Sequence, residues 1–230
     1  MRAQAAGSHR APRPRIRLLW LGVVAGAVAA VALFGCRSPG ALPQPEPGQV
    51  EAGTEYLPLR VGNTWTYTSR RGDLVIRVVD VRAAQGTTEV TVEEIAGNQA
   101  RTQRTYRQDG MGLFLIRSVE SGEVQDYSAE PQPVLLIPPQ PGQRWVWRGQ
   151  IGYRRTHFTA EVGQPETVST PAGTFAAALP IQVRVMDWVM RNKALVHRQW
   201  LAPGIGPVRL DYQVEGGEII RYELVAYSLQ

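Results

Sequence analysis

The stretch LVIRVVDV at residues 74–81 is rich in β-branched side chains, which favour strands over helices. Similar runs follow along the chain, at residues 87–95, 112–119, 150–162, 178–186, 193–201, 208–214 and 218–227. Glycine, proline, asparagine or aspartate separates these runs, and such residues end strands and begin turns. We therefore predict that the chain from Tyr56 onward is mainly β.

Several separators are short enough to be hairpin turns, among them Arg71-Gly72-Asp73 and Asp109-Gly110. Strands that are joined by such tight turns must run antiparallel. After Cys36, no long stretch shows clean helical periodicity. The predicted fold is a single antiparallel, strongly curved sheet, a half-barrel or barrel-like meander of about ten strands, with little helix apart from an N-terminal signal segment.

A weak internal repeat aligns LPLRVGNTWTY at residues 57–67 with IPPQPGQRWVW at residues 137–147. In both segments an apolar residue and a proline lead to a glycine, and aromatic residues follow three and five positions later. Residues two apart on a strand point to the same face of the sheet. The repeat is either a duplicated half-domain or two similar turns that lead into strands.

The aromatic residues of this repeat have two possible roles. Trp65, Tyr67, Trp145 and Trp147 are candidates for an apolar surface that binds a ligand or a partner. Aromatic side chains also dominate protein cores, so the alternative is that the same four residues fill the core of the sheet.

The N-terminal region has the composition of an export signal. Residues 1–17 contain five arginines and no acidic residue, and residues 18–34 carry no charge. A basic segment, a short apolar run and a small residue before a cleavage site are the parts of a secretory signal. The apolar run is also close to the length of about 20 residues that spans a bilayer, so an uncleaved anchor helix is the alternative.

The end of the apolar run is Leu33-Phe34-Gly35-Cys36, which contains the only cysteine of the chain. This segment resembles the lipobox of bacterial prolipoproteins. The resemblance implies that Cys36 receives a diacylglycerol, becomes the new N-terminus by cleavage after Gly35, and is then acylated, for example with palmitate. Since one acyl chain anchors a protein only weakly, several chains on one cysteine give the stable anchor.

The resemblance to prolipoproteins divides the chain into three parts. Residues 1–35 are the lipoprotein signal peptide, residues 36–55 are the lipidated Cys36 with a Pro/Gly-rich disordered tether, and residues 56–230 are a single antiparallel β domain. Arg37 stands where lipoproteins retained in the inner membrane commonly have aspartate. By the same resemblance, the expected location is the periplasmic face of the outer membrane, if the source has two membranes.

Removing the predicted signal peptide also removes the excess of positive charge. The chain has 25 Lys and Arg against 20 Asp and Glu, and five arginines but no acidic residue precede Cys36, which leaves 20 of each. Such a domain lacks the basic excess that is typical of nucleic-acid binding, so we expect no nucleic-acid partner. If Cys36 is lipidated, the domain has no thiol for a disulfide or for redox chemistry.

Three segments of the folded part carry a second resemblance. Pro58–Tyr67, TPAGTF at residues 170–175 and WLAPGIGPV at residues 200–208 resemble segments of uncharacterised bacterial lipoproteins of this size. The strand pattern is also similar to that of the lipoprotein carriers LolA and LolB. That similarity implies a curved half-barrel that holds acyl chains on its concave face.

Catalytic and metal-binding patterns are weak in this sequence. His157 and His197 each lie in a strand-like run, with no cysteine or second histidine at metal-ligand spacing. The sequence contains no phosphate-binding loop, nucleophile elbow or zinc-protease motif. We therefore predict no catalytic residue, no metal and no cofactor, and we interpret the protein as a non-enzyme.

The functional prediction is a membrane-anchored cell-envelope lipoprotein whose β domain is a non-catalytic binding or scaffolding module. The alternative is a carrier or sensor that binds an acyl chain or another apolar ligand in a half-barrel cavity. The predicted partners are the membrane, through the lipid anchor at Cys36, and an envelope protein or an apolar ligand. A carrier needs an internal cavity, whereas a scaffold needs an exposed apolar patch.

Overall fold

The computed structural model describes residues 56–84, 86–97, 100–151, 154–186 and 193–230, which form one antiparallel sheet of 14 strands. The strands of the first half are β1 (Thr64–Thr68), β2 (Leu74–Ala84), β3 (Thr87–Ala96), β4 (Ala100–Asp109), β5 (Gly112–Glu120), β6 (Glu123–Asp126) and β7 (Gln132–Leu136). Those of the second half are β8 (Arg144–Ile151), β9 (Arg154–Val162), β10 (Glu166–Thr170), β11 (Gly173–Met186), β12 (Ala194–Ala202), β13 (Gly206–Val214) and β14 (Ile220–Ser228). The predicted fold class, mainly antiparallel β with little helix, is confirmed for the described residues.

The strand count exceeds the expected ten or so because some strands lack a clear apolar pattern. β4 has the sequence ARTQRTYRQD, in which polar residues occupy almost every position. β6 has 4 residues, and β7 and β10 have 5 each, which is too short for a recognisable alternation. The expected run at residues 150–162 is divided between the end of β8 and the whole of β9.

The order of strands in the sheet follows the order of the chain in each half. The hydrogen-bonded path is β6-β5-β4-β3-β2-β1-β14-β13-β12-β11-β9-β8, while β7 pairs with β5 and β10 pairs with β11. The first and last strands, β1 and β14, therefore join the two halves in the middle of the sheet. Among the described residues, no backbone ladder joins β8 to the other end of the sheet.

The sheet is strongly curved, as contacts between distant strands demonstrate. β4 and β12 are six strand spacings apart along the path, which corresponds to about 29 Å in a flat sheet. The positive charge of Arg104 on β4 nevertheless lowers the pKa of His197 on β12. Tyr106 of β4 also packs against both apolar clusters of the core. The two halves of the sheet therefore face each other across a concave interior.

Two clusters of buried apolar side chains form the core. Cluster 1 is built mainly from β1, β2, β3, β13 and β14, and it includes Val168 of β10 and Phe175 of β11. Cluster 2 combines β5 and β7 with β8, β9 and β11, so that it packs the two ends of the sheet against each other. The indoles of Trp145 and Trp147 bridge this seam by donating hydrogen bonds to the carbonyl oxygens of Pro133 (3.0 Å) and Glu130 (3.1 Å).

The internal repeat corresponds to two turns with the same hydrogen bonds. The amide of Gly62 donates to Val78 O (3.0 Å), and the amide of Gly142 donates to Val162 O (2.8 Å). Both glycines have positive φ, 90° and 84°, which other residues rarely adopt. The repeat therefore marks two equivalent turns, each leading into the opening hairpin of one half of the sheet.

The strand ends define two rims of the curved sheet. We call rim A the edge where β1, β3, β5, β8, β11 and β13 end, and rim B the opposite edge, where β1 and β8 begin. The hairpin of β10 and β11 contributes Val168 and Phe175 to cluster 1, and its turn is held by a hydrogen bond from Ala172 N to Leu224 O (3.0 Å). The predicted motif TPAGTF forms this turn.

Candidate functional site

The four predicted aromatic residues are buried in the two apolar clusters. Trp65 and Tyr67 belong to cluster 1, with 2% and 0% exposure, and Trp145 and Trp147 belong to cluster 2, with 8% and 6%. The structure therefore does not bring the two pairs together on one surface. Their burial agrees with the alternative that they fill the core, and the ligand surface at these positions stays a prediction.

The polar ends of these aromatic side chains bond to the backbone. The Trp65 indole donates to Ile205 O (2.6 Å), and the Tyr67 hydroxyl donates to Pro207 O (2.8 Å). These two hydrogen bonds, and the two from the indoles at the seam, give each buried donor a partner. A buried donor without a hydrogen bond would destabilise the fold. These residues therefore connect distant segments of the chain in addition to filling space.

Cys36, the predicted lipidation site, lies outside the described residues, as do the predicted signal peptide and the tether. The division of the chain at residues 36 and 56 therefore stays a prediction. No helix in the described part of the chain is long and apolar enough to cross a membrane.

A polar group that the sequence did not single out lies on the concave face. It consists of Glu94 on β3, Arg104 and Tyr106 on β4, His197 on β12 and Tyr212 on β13, and we call it the interior cluster. These strands come from both halves of the sheet, so the cluster exists only because the sheet curves.

The strand register places β4 side chains of the cluster on the concave face. Arg104 is opposite Val92, and Tyr106 is opposite Val90, and both valines are buried in cluster 1. Residues directly opposite each other in an antiparallel pair share one face. Two polar side chains of β4 thus stand among residues of the apolar core.

An ion pair between Arg104 Nη1 and Glu94 Oε1 lies at the centre of the interior cluster. Burial lowers the pKa of Arg104, but Glu94, Tyr106 and Tyr212 together outweigh burial, so that this pKa is raised overall. Burial also raises the pKa of Tyr106 to about 12, against the opposing effect of a hydrogen bond with Arg104. At neutral pH the guanidinium is therefore charged and Tyr106 is protonated.

His197 is a further uncharged member of the cluster at neutral pH. Its ring stacks on Tyr212 with centroids 4.5 Å apart and planes at 6°. Burial lowers the pKa of His197 to about 4, and the positive charge of Arg104 adds to this effect. Its Nε2 atom is buried and has no hydrogen-bond partner among the described residues. The other described histidine, His157, has a half-buried side chain and alternates along β9 with residues of cluster 2.

The interior cluster can be reached by solvent, whereas the core beside it cannot. The side chains of Arg104 and Glu94 are 18% and 21% exposed. Glu94 lies two residues before the end of β3, and Arg104 lies four residues after the start of β4, which places both within about 15 Å of rim A. The partly exposed ion pair therefore lies on the side of the interior cluster nearer to rim A.

The interior cluster combines groups that can hold a small molecule. Tyrosine hydroxyls donate and accept hydrogen bonds, guanidinium donates, and carboxylate accepts. Partly buried apolar residues, Val183 and Val185 of β11, adjoin the cluster, and Val183 is directly opposite His197 in the ladder. A surface of this mixed character is typical of ligand sites.

Other candidate features of the described residues are less developed. An outer hollow of about 410 Å³ is lined by Arg101, Gln103, Val119, Ser121 and Gly122 and is open to solvent. Within the described ranges, no group of three or more His, Asp or Glu side chains is placed to hold a metal ion. The interior cluster is therefore the candidate functional site.

Sequence reasoning missed four of the five cluster residues. His197 was considered as one of two histidines without metal-ligand spacing, and Glu94 only as one of two adjacent acids that point to opposite faces of a strand. The signal lay in β4, where Thr102, Arg104, Tyr106 and Gln108 alternate with equally polar neighbours and conceal the strand. A polar segment between apolar strands is either a loop or a strand with polar side chains facing the interior. The structure shows that this segment is such a strand.

The fold and the site define a single-sheet, strongly curved antiparallel β protein with a polar group in its concave interior. No family model matches the chain, and no curated protein sequence matches it. It is similar to the structure of a proposed lipoprotein from Parabacteroides distasonis, with a TM-score of 0.47 and 14% identity over 76% of this chain and 99% of that chain. It is also similar to a proposed exported protein with a YmcC-like fold from Bacteroides fragilis, with a TM-score of 0.40 and 18% identity over 74% of this chain and 97% of that chain.

Proposed function

We propose that this protein is a cell-envelope lipoprotein, anchored through lipids on Cys36, whose β domain binds a small molecule in its concave interior without transforming it. The anchor rests on the lipobox-like segment at residues 33–36 and the basic, acid-free segment before it. In a source with two membranes, the domain faces the periplasm from the outer membrane. A binding role was predicted together with scaffolding, and the interior cluster favours binding of a ligand.

The observation that supports this proposal is the solvent-reachable ion pair of Glu94 and Arg104 inside a curved apolar sheet. Burying an ion pair costs several kcal/mol of desolvation per ion, and apolar residues of the same volume would serve stability equally well. Charged groups that are kept in a protein interior despite this desolvation cost are typical of a ligand-binding site. The exposed large apolar residues, in contrast, include Val61, Met111 and Val146, which lie on separate turns and strands.

Photocrosslinking in a bacterial envelope tests interior binding against scaffolding. Tyr222 is opposite the buried Leu210 and makes an edge contact with Tyr212 (6.1 Å, 89°), so it borders the interior cluster without belonging to it. The full-length chain carrying p-benzoylphenylalanine at position 222 should yield an adduct of small mass after irradiation.

The matched control carries the same crosslinker at Val146, which is 55% exposed and lies between the inward-facing Trp145 and Trp147 of β8. We expect no small-molecule adduct from this position. A protein adduct at position 146 without any small-molecule adduct at position 222 would support scaffolding and refute interior binding. Absence of any adduct at both positions would refute it as well.

The lipid anchor is tested separately. Cells that produce the full-length chain should incorporate labelled palmitate into it, and the Cys36→Ser variant should lose the label and accumulate the uncleaved form. An equal label in both variants would contradict the assignment of Cys36. This result is independent of ligand binding, so the two parts of the proposal stand or fall separately.

A further inference from the structure

The charges of the interior cluster restrict the kind of ligand that it accepts. Glu94 and Arg104 neutralise each other, and His197 is uncharged at neutral pH. An anionic head group would have to compete with Glu94 for Arg104, and a cationic one would have to compete with Arg104 for Glu94. Either would leave one partly buried charge without its partner, which weakens binding.

An uncharged head group avoids this cost. Such a head group can form hydrogen bonds with donors and acceptors that the ion pair does not use, because guanidinium has five N–H donors and carboxylate accepts at two oxygens. The hydroxyl groups of Tyr106 and Tyr212 add groups that both donate and accept. Hydroxyl groups on the ligand match this set, since they also act in both directions.

Glu120 adds a further carboxyl group on the concave face and reinforces the discrimination against anions. It lies at the end of β5 on rim A, opposite Thr102 of β4. Burial raises the pKa of Glu120, Arg104 opposes this effect, and Glu94 adds to it. The route from rim A to the interior cluster therefore passes a second carboxyl group, which repels an anionic head group.

The apolar wall beside the cluster supplies the second part of the site. Val183 and Val185 of β11 are only partly buried, and both pack at the edge of cluster 2. They point to the same face as His197, because Val183 is its direct partner in the ladder. A short apolar tail can cover them while the head group contacts the polar side chains.

Accepting the ligand-binding role proposed above, we propose that the interior cluster binds an uncharged amphiphile with several hydroxyl groups on its head, the chemistry of an alkyl glycoside or a glycolipid. The head group contacts Arg104, Glu94 and the hydroxyls of Tyr106 and Tyr212. The apolar tail lies along Val183 and Val185. Recognition therefore depends on hydroxyl groups and not on net charge.

Three probes with the same tail test this assignment: hexyl β-glucoside, hexanoate and hexylammonium. Each is titrated below its micelle concentration into the full-length lipidated protein in nanodiscs, with empty nanodiscs as the blank and saturation-transfer NMR as the readout. We expect hexyl β-glucoside to bind at least about fivefold more tightly than either charged probe. Tighter or equal binding of hexanoate or hexylammonium would overturn the assignment, as would the absence of binding by all three probes.

Tyrosine variants show whether the probe occupies the interior cluster. Tyr106→Phe and Tyr212→Phe each remove one hydroxyl and should weaken hexyl β-glucoside about two- to tenfold, the usual effect of one hydrogen bond. Tyr227→Phe is the matched control, because Tyr227 contacts Phe175 at the other rim (6.4 Å) and should leave binding unchanged. Equal effects of all three variants would refute the proposed location, and thermal unfolding of each verifies that it folds.

The results separate this inference from the proposed function. A small-molecule adduct at position 222 combined with preferred binding of a charged probe leaves interior binding intact and refutes the uncharged head group. Absence of both the adduct and probe binding refutes the two together.

Discussion

Acidification should destabilise this protein through His197, and the direction follows from its surroundings. The ring is neutral when folded because burial, with help from Arg104, lowers its pKa to about 4, while Asp211 opposes the shift. In the unfolded chain the pKa returns to the ordinary value for histidine, about 6.5. Between these two values the unfolded state binds more protons, so stability rises with pH in this window. The contribution is complete above about pH 6.5 and declines as the pH falls toward 4.

The size of the effect follows from the same two pKa values. A difference of one pKa unit corresponds to 1.36 kcal/mol, so the difference between about 6.5 and about 4 gives roughly 3 kcal/mol at the most. About 2 kcal/mol of this is lost by pH 5. For a domain with an ordinary stability of 5–15 kcal/mol, such a loss is large enough to measure easily.

Urea unfolding of the full-length protein at pH 7, 6, 5 and 4.5, followed by tryptophan fluorescence, measures this dependence. His197→Gln removes the titrating group and should flatten the profile between pH 6.5 and 4.5, leaving the shallower slope that the carboxyl groups produce. His157→Gln is the matched control and should retain the wild-type slope, because His157 lies outside the interior cluster. Parallel profiles for wild type and His197→Gln would refute the reasoning and show that His197 is solvated in the folded state.

Three further predictions concern rim B and the seam, and each is measured as the free energy of unfolding in urea. Gly206→Ala should cost about 2–4 kcal/mol, because the φ of Gly206 is 97° and the new Cβ would lie 3.3 Å from the Trp65 ring. Gly216→Ala is the control: the φ of Gly216 is 76°, but a Cβ there meets no atom within 4 Å, so it should cost only about 1 kcal/mol. Trp145→Phe keeps a large ring but removes the indole bond across the seam, so we expect a loss of about 1–2 kcal/mol, and no loss would indicate that the seam is already open. Asn63→Ala should cost about 2–4 kcal/mol, since this fully buried side chain donates to one backbone carbonyl (2.6 Å) and accepts from one backbone amide (2.7 Å). A cost below about 1 kcal/mol would contradict these two hydrogen bonds.

The apolar strands were predictable from sequence because one of their faces is buried. The run at residues 74–81 and its successors place β-branched and aromatic side chains where the core requires them, and hairpin glycines separate them. The two similar turns at Gly62 and Gly142 were also visible, since a positive φ restricts the residue type. Local chemistry decides these features, so a single sequence reveals them.

The interior cluster was not predictable because its location depends on curvature. Arg104 and His197 are more than 90 residues apart, and they approach each other only when the sheet curls through six strand spacings. No local pattern encodes this approach. The polarity of β4 was visible in the sequence, but without the strand order it is equally typical of an exposed loop.

The motifs that suggested a resemblance to other lipoproteins meet at rim B, away from the interior cluster. Trp65 and Tyr67 of the first motif bond to the backbone at Ile205 and Pro207 of the third, and the second motif forms the turn that packs over cluster 1. Folding therefore explains the motif residues that make these contacts: an indole or a hydroxyl that needs a hydrogen-bond partner, and a glycine that lies close to the Trp65 ring.

Rim B and rim A are consequently under different constraints. Sequence change at rim B breaks buried hydrogen bonds that hold distant segments together, and it costs stability directly. The interior side chains toward rim A touch solvent, and we expect the fold to tolerate their replacement by apolar residues of similar size. Proteins that share the rim B motifs with this chain can therefore share its curved sheet while their interior side chains differ, so the residues equivalent to Glu94, Arg104 and Tyr106 are the positions to compare between them.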